Sequence, residues 1–313
     1  MRDVAWAIFP PYIWCMSVET KKKVLPIVYF EQDAENNDFS LKKIFEGNVS
    51  TLPMEKKKNY ISFSELLTWY ECHFKHKLKY IDQIQLDGPN ENTEFGQVLH
   101  DILENYLKTK TLPNFEEQKN ILTEAFSKLK NFSELEEQKE LWQDVLEPIV
   151  SQVPSFMNEK FPNWEYIAAE YEMFEPIENE TGYFFKGFVD GIIKSNGKYY
   201  IIDWKGSKDW WDKSKSSDPK KYLQLVLYKH FFSIKNGIPL SDIECGFVVL
   251  RRKTPKTNKD RCLYIPIEVG EKQLKEAEEL IKKFFINIRK HFYTKNRSSC
   301  RFCVYYGTDF CKG

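Results

Sequence analysis

Two aspartates and a lysine occur at spacings that would bring them together across a tight turn. Asn196-Gly197 separates two runs rich in β-branched and aromatic residues, and this dipeptide is the strongest short signal for a β-hairpin with a type I′ turn. If it forms the turn, Asp190 lies opposite Asp203, with Cβ atoms about 4.5–5.5 Å apart. Lys205 comes two residues after Asp203 and is therefore expected on the same face.

These side chains could support metal-assisted hydrolysis of a phosphodiester bond. Opposed carboxylates repel each other unless a cation compensates them, and carboxylate oxygens are the ligands that Mg²⁺ and Mn²⁺ prefer. A bound cation polarises the phosphate and lowers the pKa of a water molecule, while a lysine can orient that water or stabilise developing charge. The alternative is an exposed hairpin with scattered charges, but Phe188, Tyr199 and Ile201 are expected on the same face and favour burial.

Hydrophobic periodicity predicts the elements that carry these residues. Ser62 and Glu65 have the spacing of a capping box at a helix N-terminus, and His100 lies beside the apolar stripe of a later helix. Helices are expected near residues 62–80, 94–108, 115–130, 134–158, 220–236 and 271–291, and strands near 164–174, 184–194, 198–205, 244–251 and 263–269. This order predicts an α/β fold with a mixed central sheet flanked by helices.

The 313-residue chain has the composition of a folded protein, with 46 basic and 46 acidic residues. Its net charge therefore gives no support for a nucleic-acid partner. Residues 1–58 are interpreted as a leader with one strand-like run, Val24–Phe30, and residues 59–313 as the functional domain. No run is apolar enough to cross a membrane, and Val4–Met16 makes a poor signal peptide. The odd count of seven cysteines favours a reducing compartment such as the cytoplasm.

The order of the charged motifs resembles a known enzyme family. Gly187-Phe-Val-Asp190, followed by Asp203-Trp-Lys205, is similar to the core motif of the PD-(D/E)XK nuclease superfamily. The resemblance is to its RecB-like branch and covers roughly residues 59–313. It implies a restriction-endonuclease-like core, in which Asp190 and Asp203 bind Mg²⁺ or Mn²⁺ and Lys205 orients the attacking water.

The same resemblance implies supporting residues on neighbouring elements. His100 matches an upstream histidine that would be a further metal ligand, although alone it would be an ordinary structural histidine. Glu170, in the string Ala-Ala-Glu-Tyr, matches a catalytic glutamate on the preceding strand, with Glu172 as its rival on the same face. Gln224 and Tyr228 match a Gln-x3-Tyr motif and share one helical face. They would stabilise the site and contact nucleic acid.

Four cysteines lie near the two ends of the proposed domain. Cys300 and Cys303 have the spacing of a metal-ligand pair, Cys311 follows, and Cys72 is the candidate fourth ligand. This set resembles RecB-like nucleases of the AddB, CRISPR-associated and mitochondrial single-strand exonuclease kinds, in which such cysteines hold a 4Fe-4S cluster. A cluster would clasp the N-terminal helix to the C-terminus. A structural Zn²⁺ and a set of buried free thiols remain alternatives.

The loop after the hairpin mixes aromatic and basic residues. Trp210 and Trp211 would stack on unpaired bases, and Lys220 and Lys221 would contact phosphates. The alternative is an insertion with two buried tryptophans. Together with the resemblance, this loop indicates an exonuclease acting on single-stranded DNA ends. The alternative function is a nucleic-acid-binding or helicase-partner subunit of a repair, recombination or CRISPR-adaptation complex, with weak or no cleavage of its own. Under either function, no membrane partner is expected.

Overall fold

We describe the protein from a computed structural model. The structure describes residues 58–129, 139–253 and 260–312, together with the backbone of four short strands before residue 58. The chain divides into two compact units, Met1–Lys58 and Asn59–Gly313. No helix within the described residues is long and apolar enough to cross a membrane.

The first unit contains a small antiparallel sheet. Its strands are β1 (Trp6–Ile8), β2 (Trp14–Met16), β3 (Val28–Gln32) and β4 (Phe39–Lys43), each paired with the next along the chain. The prediction of a single strand-like run was therefore incomplete. Only the last part of that run, from Val28 onward, lies in β3, and residues 24–27 lie outside the described residues.

The second unit is built on a mixed sheet, as the sequence predicts. The strands are β5 (Tyr60–Ser62), β6 (Glu165–Pro176), β7 (Phe184–Ser195), β8 (Lys198–Ser207), β9 (Ile243–Arg251) and β10 (Cys262–Pro266). The sheet order is β10-β9-β8-β7-β5, and β6 pairs along nearly all of β7. Strand β5 runs parallel to β7 and β8 runs parallel to β9, whereas the other pairs are antiparallel.

Helices cover both faces of this sheet. They are α1 (Phe63–Glu71), α2 (His73–His76), α3 (Glu91–Thr109), α4 (Phe115–Ser127), α5 (Lys139–Val150), α6 (Val153–Lys160), α7 (Lys213–Ser216), α8 (Pro219–Asn236) and α9 (Glu271–Arg289). Helices α1, α8 and α9 bury one apolar cluster against the sheet. Helices α3, α4, α5 and α6 bury a second cluster on the other face. The mixed α/β architecture flanked by helices is thus confirmed.

The predicted helix over residues 62–80 is interrupted. Ser62 caps α1 as expected and accepts a hydrogen bond from the Glu65 amide at 3.3 Å. The Glu65 carboxylate lies 3.1 Å from Nε2 of the buried His76. Cys72 has extended backbone angles, φ −163° and ψ 115°, so α1 ends there and α2 begins after it. A short π-helical turn, Lys77–Ile81, completes the segment.

The C-terminal tail packs against this interrupted segment. The Phe74 amide donates to the Thr294 carbonyl at 3.0 Å, and the Asn296 side chain donates to the Glu71 carbonyl at 2.9 Å. The Tyr305 hydroxyl, on a side chain only 1% exposed, donates to the Ile84 carbonyl at 2.6 Å. The two ends of the second unit are therefore joined by ordinary hydrogen bonds and apolar packing.

Candidate active site

The β7–β8 hairpin has the register that its turn residues predict. Asn196 and Gly197 have φ values of +49° and +81°, which are the left-handed angles that a type I′ turn requires. The ladder runs from the pair Ser195–Lys198 to the pair Gly191–Ile202. The ladder ends one step before the predicted pair Asp190–Asp203. The Asp190 carboxylate instead accepts a hydrogen bond from the Trp204 amide at 2.8 Å.

Asp203 and Lys205 form a close ion pair at this point of β8. Lys205 Nζ lies 2.5 Å from Asp203 Oδ2, and the Asp203 residue is fully buried. Burial would lower the pKa of the Lys205 ammonium, but Asp203 and Asp190 outweigh that effect and raise it. Lys205 therefore stays protonated at neutral pH and can donate hydrogen bonds, but it cannot remove a proton from water.

His100 reaches the same place from the middle of α3. Its Nε2 lies 3.1 Å from the Trp204 carbonyl, and its Nδ1 lies 3.4 Å from Asp190 Oδ2. Burial lowers the pKa of the imidazole, and although Asp203 opposes this, the net shift is downward. A neutral ring that donates from Nε2 to the carbonyl keeps the lone pair on Nδ1 free, as a metal ligand must.

Glu170 completes a group of possible metal ligands. One ligand atom from each of His100, Glu170 and Asp190 lies within 4.8 Å of the others. Glu170 has a φ of +47°, a left-handed conformation that costs free energy in a residue other than glycine and is frequent at functional sites. The rival Glu172 lies outside this group and pairs with Lys186 at 3.2 Å. The geometry therefore favours Glu170 for the site.

Gln224 and Tyr228 lie on α8, directly behind the hairpin. The Gln224 amide donates to the Tyr228 hydroxyl at 3.0 Å. Burial raises the pKa of Tyr228, partly opposed by this hydrogen bond and reinforced by Asp203 and Asp190 nearby. A Cβ atom added to Gly187 would lie 2.8 Å from Tyr228 Cε1. Glycine at this position of β7 is what allows the tyrosine ring to approach.

The donors at the site fit a divalent cation. Burial and the neighbouring Asp203 hold the pKa of Asp190 well above its usual range. Burial also raises the pKa of Glu170, with help from Glu104 and Asp101 on α3. Oδ1 of Asp203 is buried without a hydrogen-bond partner, which is costly for a carboxylate. A hard cation would relieve both the repulsion and the missing partner.

Sequence comparison decides the family. A model of the PD-(D/E)XK nuclease superfamily matches residues 60–308. The chain belongs to that superfamily. No curated protein sequence matches the chain significantly.

Two solved structures are similar to this chain. A crystal structure from Eubacterium rectale, named a "putative exonuclease", superposes with a TM-score of 0.50 at 15% identity, covering 83% of this chain and 92% of that one. The protein SSO0001 gives a TM-score of 0.37 at 15% identity, covering 80% of this chain and 85% of that one. The first of these shows that the chain shares its fold with a known structure.

The tryptophan loop of this PD-(D/E)XK protein is placed differently from the expectation. Trp211 is only 9% exposed and packs against Phe247, with ring centres 5.0 Å apart. Trp210 is half-buried, and its ring lies 4.3 Å from the Arg251 guanidinium. Trp211 therefore has no free face for a base, and the alternative of a buried tryptophan is correct for it. Its packing residue comes from a later strand, so no local pattern could reveal the burial.

The two lysines that were expected to contact phosphates lie at the start of a helix. Lys220 and Lys221 are half-buried in the first turn of α8, and Lys221 Nζ lies 5.9 Å from the centre of the Trp211 ring.

Phe188 on β7 was expected to be buried, but its side chain is 43% exposed. The expectation placed Phe188 on the face of Ile201, but the alternation of β7 breaks after Asp190, because Val189 and Ile192 both join the apolar cluster on the α8 side although they are three residues apart.

The four clasp cysteines lie around one small pocket. Cys72, Cys300, Cys303 and Cys311 all contribute to its wall, and all are free thiols. Within the described residues, the only set of three or more side chains close enough to ligate one ion is His100, Glu170 and Asp190. The thiols are thus near one another without being gathered at the spacing of a single-ion site.

Proposed function

We propose that this PD-(D/E)XK protein is a metal-dependent DNA nuclease, specifically an exonuclease that hydrolyses phosphodiester bonds at single-stranded DNA ends. The observation that carries the proposal is the convergence of His100, Glu170 and Asp190 beside the buried Asp203–Lys205 pair. Burial and mutual repulsion raise the pKa values of these carboxylates, which is costly for a hairpin with a purely structural role. Such perturbed carboxylates are typical of functional sites.

Each residue has a defined part in this proposal. His100, Glu170, Asp190 and Asp203 would hold Mg²⁺ or Mn²⁺, which when bound lowers the pKa of water and polarises the phosphate. The Lys205 ammonium would orient the attacking water and stabilise negative charge on the phosphate oxygens. Tyr228, hydrogen-bonded to Gln224, would fix the position of the carboxylates from behind, while Lys220 and Lys221 would contact the DNA backbone.

The substrate assignment rests on two further supports. The ordered set of His100, Glu170, Gln224 and Tyr228 resembles the RecB-like branch, whose members act mostly on DNA ends. The name of the Eubacterium rectale structure, a "putative exonuclease", agrees with that resemblance. A helicase or another recombination or CRISPR-adaptation protein would be the expected partner, because this chain has no nucleotide-binding P-loop of its own.

The test is a digestion assay on 5′- and 3′-labelled single-stranded DNA, with and without Mg²⁺ or Mn²⁺. We expect Asp203→Asn and Lys205→Met to lose activity by on the order of 100-fold or more, as removal of a preorganised electrostatic group does. The matched pair of variants Glu170→Gln and Glu172→Gln tests which of the two glutamates belongs to the site. Both residues lie on β6, and only the first substitution should abolish cleavage.

Two results would count against the proposal. If Glu172→Gln inactivates and Glu170→Gln does not, the ligand set is misassigned. If folded wild-type protein degrades no DNA with either metal but binds it, the chain is a binding or partner subunit instead of an independent nuclease. A helicase recovered with the wild-type protein would strengthen that second reading.

We also propose that Cys72, Cys300, Cys303 and Cys311 hold a 4Fe-4S cluster. In such a cluster each thiolate binds a different iron atom, so the sulfur atoms need not meet at a single ion. A zinc site with Zn–S bonds of about 2.3 Å would hold its sulfur atoms about 3.8 Å apart, whereas no three of these sulfur atoms lie within 4.8 Å of one another.

The test of the cluster is its colour and metal content. Anaerobically purified protein should be brown, with iron and sulfide in equal amounts; colourless protein with one zinc would contradict this.

A further inference from the structure

An exposed row of aromatic side chains lies on the sheet next to the candidate metal site. Phe188 is 43% exposed and Phe174 is 40% exposed, which is unusual for phenylalanine in the middle of a sheet. Phe174 stacks on Phe184 with ring centres 4.6 Å apart, and Tyr60 meets Phe174 edge-on at 6.1 Å. We call the set Tyr60, Phe174, Phe184, Lys186 and Phe188 the aromatic face.

Lys186 occupies the centre of the aromatic face. Its ammonium lies 5.5 Å from the Tyr60 ring centre and 5.3 Å from that of Phe188. It also pairs with the exposed Glu172 at 3.2 Å. These contacts show that side chains from β5, β6 and β7 share one surface, with a cation held between two rings.

The opposite side of these strands is the protein core. Met173, Phe185 and Val189 are fully buried in the cluster under α8 and α9. Because strand side chains alternate between faces, the residues between them point away from that core. The same alternation leads from Phe188 to Asp190 on β7, and from Glu172 to Glu170 on β6. The aromatic face therefore continues directly into the carboxylates of the candidate metal site.

We propose that the aromatic face is the single-strand binding platform of the enzyme, on which unpaired bases stack as the strand enters the metal site. This inference rests on the proposed nuclease function and deepens it. A strand rises about 3.3 Å per residue, so Phe188 lies roughly 7 Å from Asp190 and would hold the base nearest the reacting phosphate. The Phe174–Phe184 pair would hold a base further along, and Lys186 would contact the phosphate between them.

The chemistry of the surface favours a single strand over a duplex or a protein. Exposed rings bind bases only where these are unpaired, because in a duplex the base faces are already stacked. A protein partner would need a broader apolar area, but here the charged Lys186, paired with Glu172, lies between Phe188 and Tyr60. The surface also matches the role that Trp211 cannot fill, since that ring is buried.

The experiment compares Phe188→Ala and Phe174→Ala with two controls. Phe188→Tyr retains a ring, and Phe115→Ala removes a ring that is 48% exposed on α4, outside the aromatic face. Affinity for a fluorescent single-stranded oligonucleotide is measured by anisotropy on metal-free protein. KM and kcat are then measured with Mg²⁺, circular dichroism checks folding, and sedimentation gives the oligomeric state.

Stacking of a base on one aromatic side chain is worth about 1–3 kcal/mol. Each alanine variant should therefore raise both Kd and KM by roughly 5- to 150-fold, while kcat should change less. Phe188→Tyr and Phe115→Ala should bind like the wild type. Unchanged affinity in both alanine variants would overturn the inference, and so would a changed oligomeric state with unchanged affinity, which would mark a subunit interface.

The two proposals fail separately. If the wild type cleaves single strands and the alanine variants match it, the platform is wrong and the nuclease stands. If nothing is cleaved but binding still depends on Phe188 and Phe174, the platform stands and the nuclease proposal fails. Absence of any single-strand binding by the wild type would overturn the platform as well.

Discussion

At the scale of single residues, the candidate site depends on a glycine as well as on its charged groups. Gly187 lies on β7 three residues before Asp190, and its missing side chain leaves room for the Tyr228 ring. That ring is only 4% exposed, so it cannot swing into solvent. The hydrogen bond from Gln224 to the Tyr228 hydroxyl further restricts it.

We therefore expect Gly187→Ala to be harmful. The new methyl group would meet Tyr228 Cε1 at 2.8 Å, and overpacking of this kind costs about 1–3 kcal/mol. The free energy of unfolding, measured by urea titration, should fall by that amount, and cleavage should fall with it as Tyr228 is displaced.

Gly96→Ala is the matched control. Gly96 lies within α3, where a Cβ would meet nothing within 4 Å. Alanine is favoured over glycine inside a helix by up to about 1 kcal/mol, so this variant should be equally or more stable. Equal effects of the two substitutions would show that crowding against Tyr228 is not the cause.

Some residue-scale features were predictable and others were not. The hairpin register followed from Asn196-Gly197 because turn chemistry is local. The left-handed backbone of Glu170 could not be predicted, since it depends on the neighbouring strand and on α3. The burial of Trp211 depends likewise on Phe247, which lies 36 positions later in the chain.

At the scale of elements, α3 is what brings His100 to the sheet. The helix begins with a complete capping box: the Asn90 side chain accepts from the Thr93 amide, and Thr93 accepts from the Asn90 amide at 2.9 Å. These bonds satisfy amides that otherwise have no partner at a helix N-terminus. His100 lies in the middle of the helix, where its position depends on the packing of Leu99 and Leu103 rather than on the cap.

We expect Asn90→Ala to lower stability without changing the chemistry of the site. Loss of an asparagine cap costs about 1 kcal/mol, and the same loss is expected for Asn114→Ala in the capping box of α4. Thermal unfolding measures the cost, and kcat well below the melting temperature should stay at the wild-type value in both variants. A fall in kcat for Asn90→Ala alone would mean that the end of α3 itself contributes to the active site.

The bounds of helices and strands were predicted well where the hydrophobic periodicity is strong. They were predicted poorly where contacts with distant residues determine the backbone conformation. Strands β6 to β10 and helix α8 were predicted to within a few residues, because each has an apolar face or a clear cap such as Asp218. The short strand β5 was not predicted. The break at Cys72 was missed. Its extended backbone is accompanied by contacts to Thr294 and Asn296, more than 200 residues away, and a single-segment pattern carries no information about them.

At the scale of the whole second unit, the tail and the Cys72 segment close the fold. Hydrogen bonds from Asn296 and Ser299 both end on the Glu71 carbonyl at 2.9 Å. Leu78, Tyr305 and Cys311 form a small apolar cluster of their own. A metal cluster held by the four cysteines would add covalent links to a junction that already exists, so its loss should weaken the fold without abolishing it.

If the proposed 4Fe-4S cluster forms, Cys72→Ser should lower the melting temperature of anaerobically purified protein by several degrees, as the loss of a ligand that binds only the folded state does. Scanning calorimetry makes the measurement. In protein stripped of iron by a chelator, the same substitution should have almost no further effect. An equal loss in loaded and stripped protein would show that Cys72 acts through its hydrogen bonds and not through a bound group.

The contact between the Cys72 segment and the C-terminal tail has a consequence for biosynthesis. Asn296 follows Cys72 by 224 positions. At a synthesis rate of about 5–20 residues per second, the residues that contact Cys72 therefore leave the ribosome roughly 10–45 seconds after Cys72 does. Throughout that interval the Cys72 thiol is accessible to oxidants and to adventitious metals. Cells that overproduce the protein would be expected to accumulate a fraction with Cys72 already modified, and more reducing growth conditions should diminish that fraction.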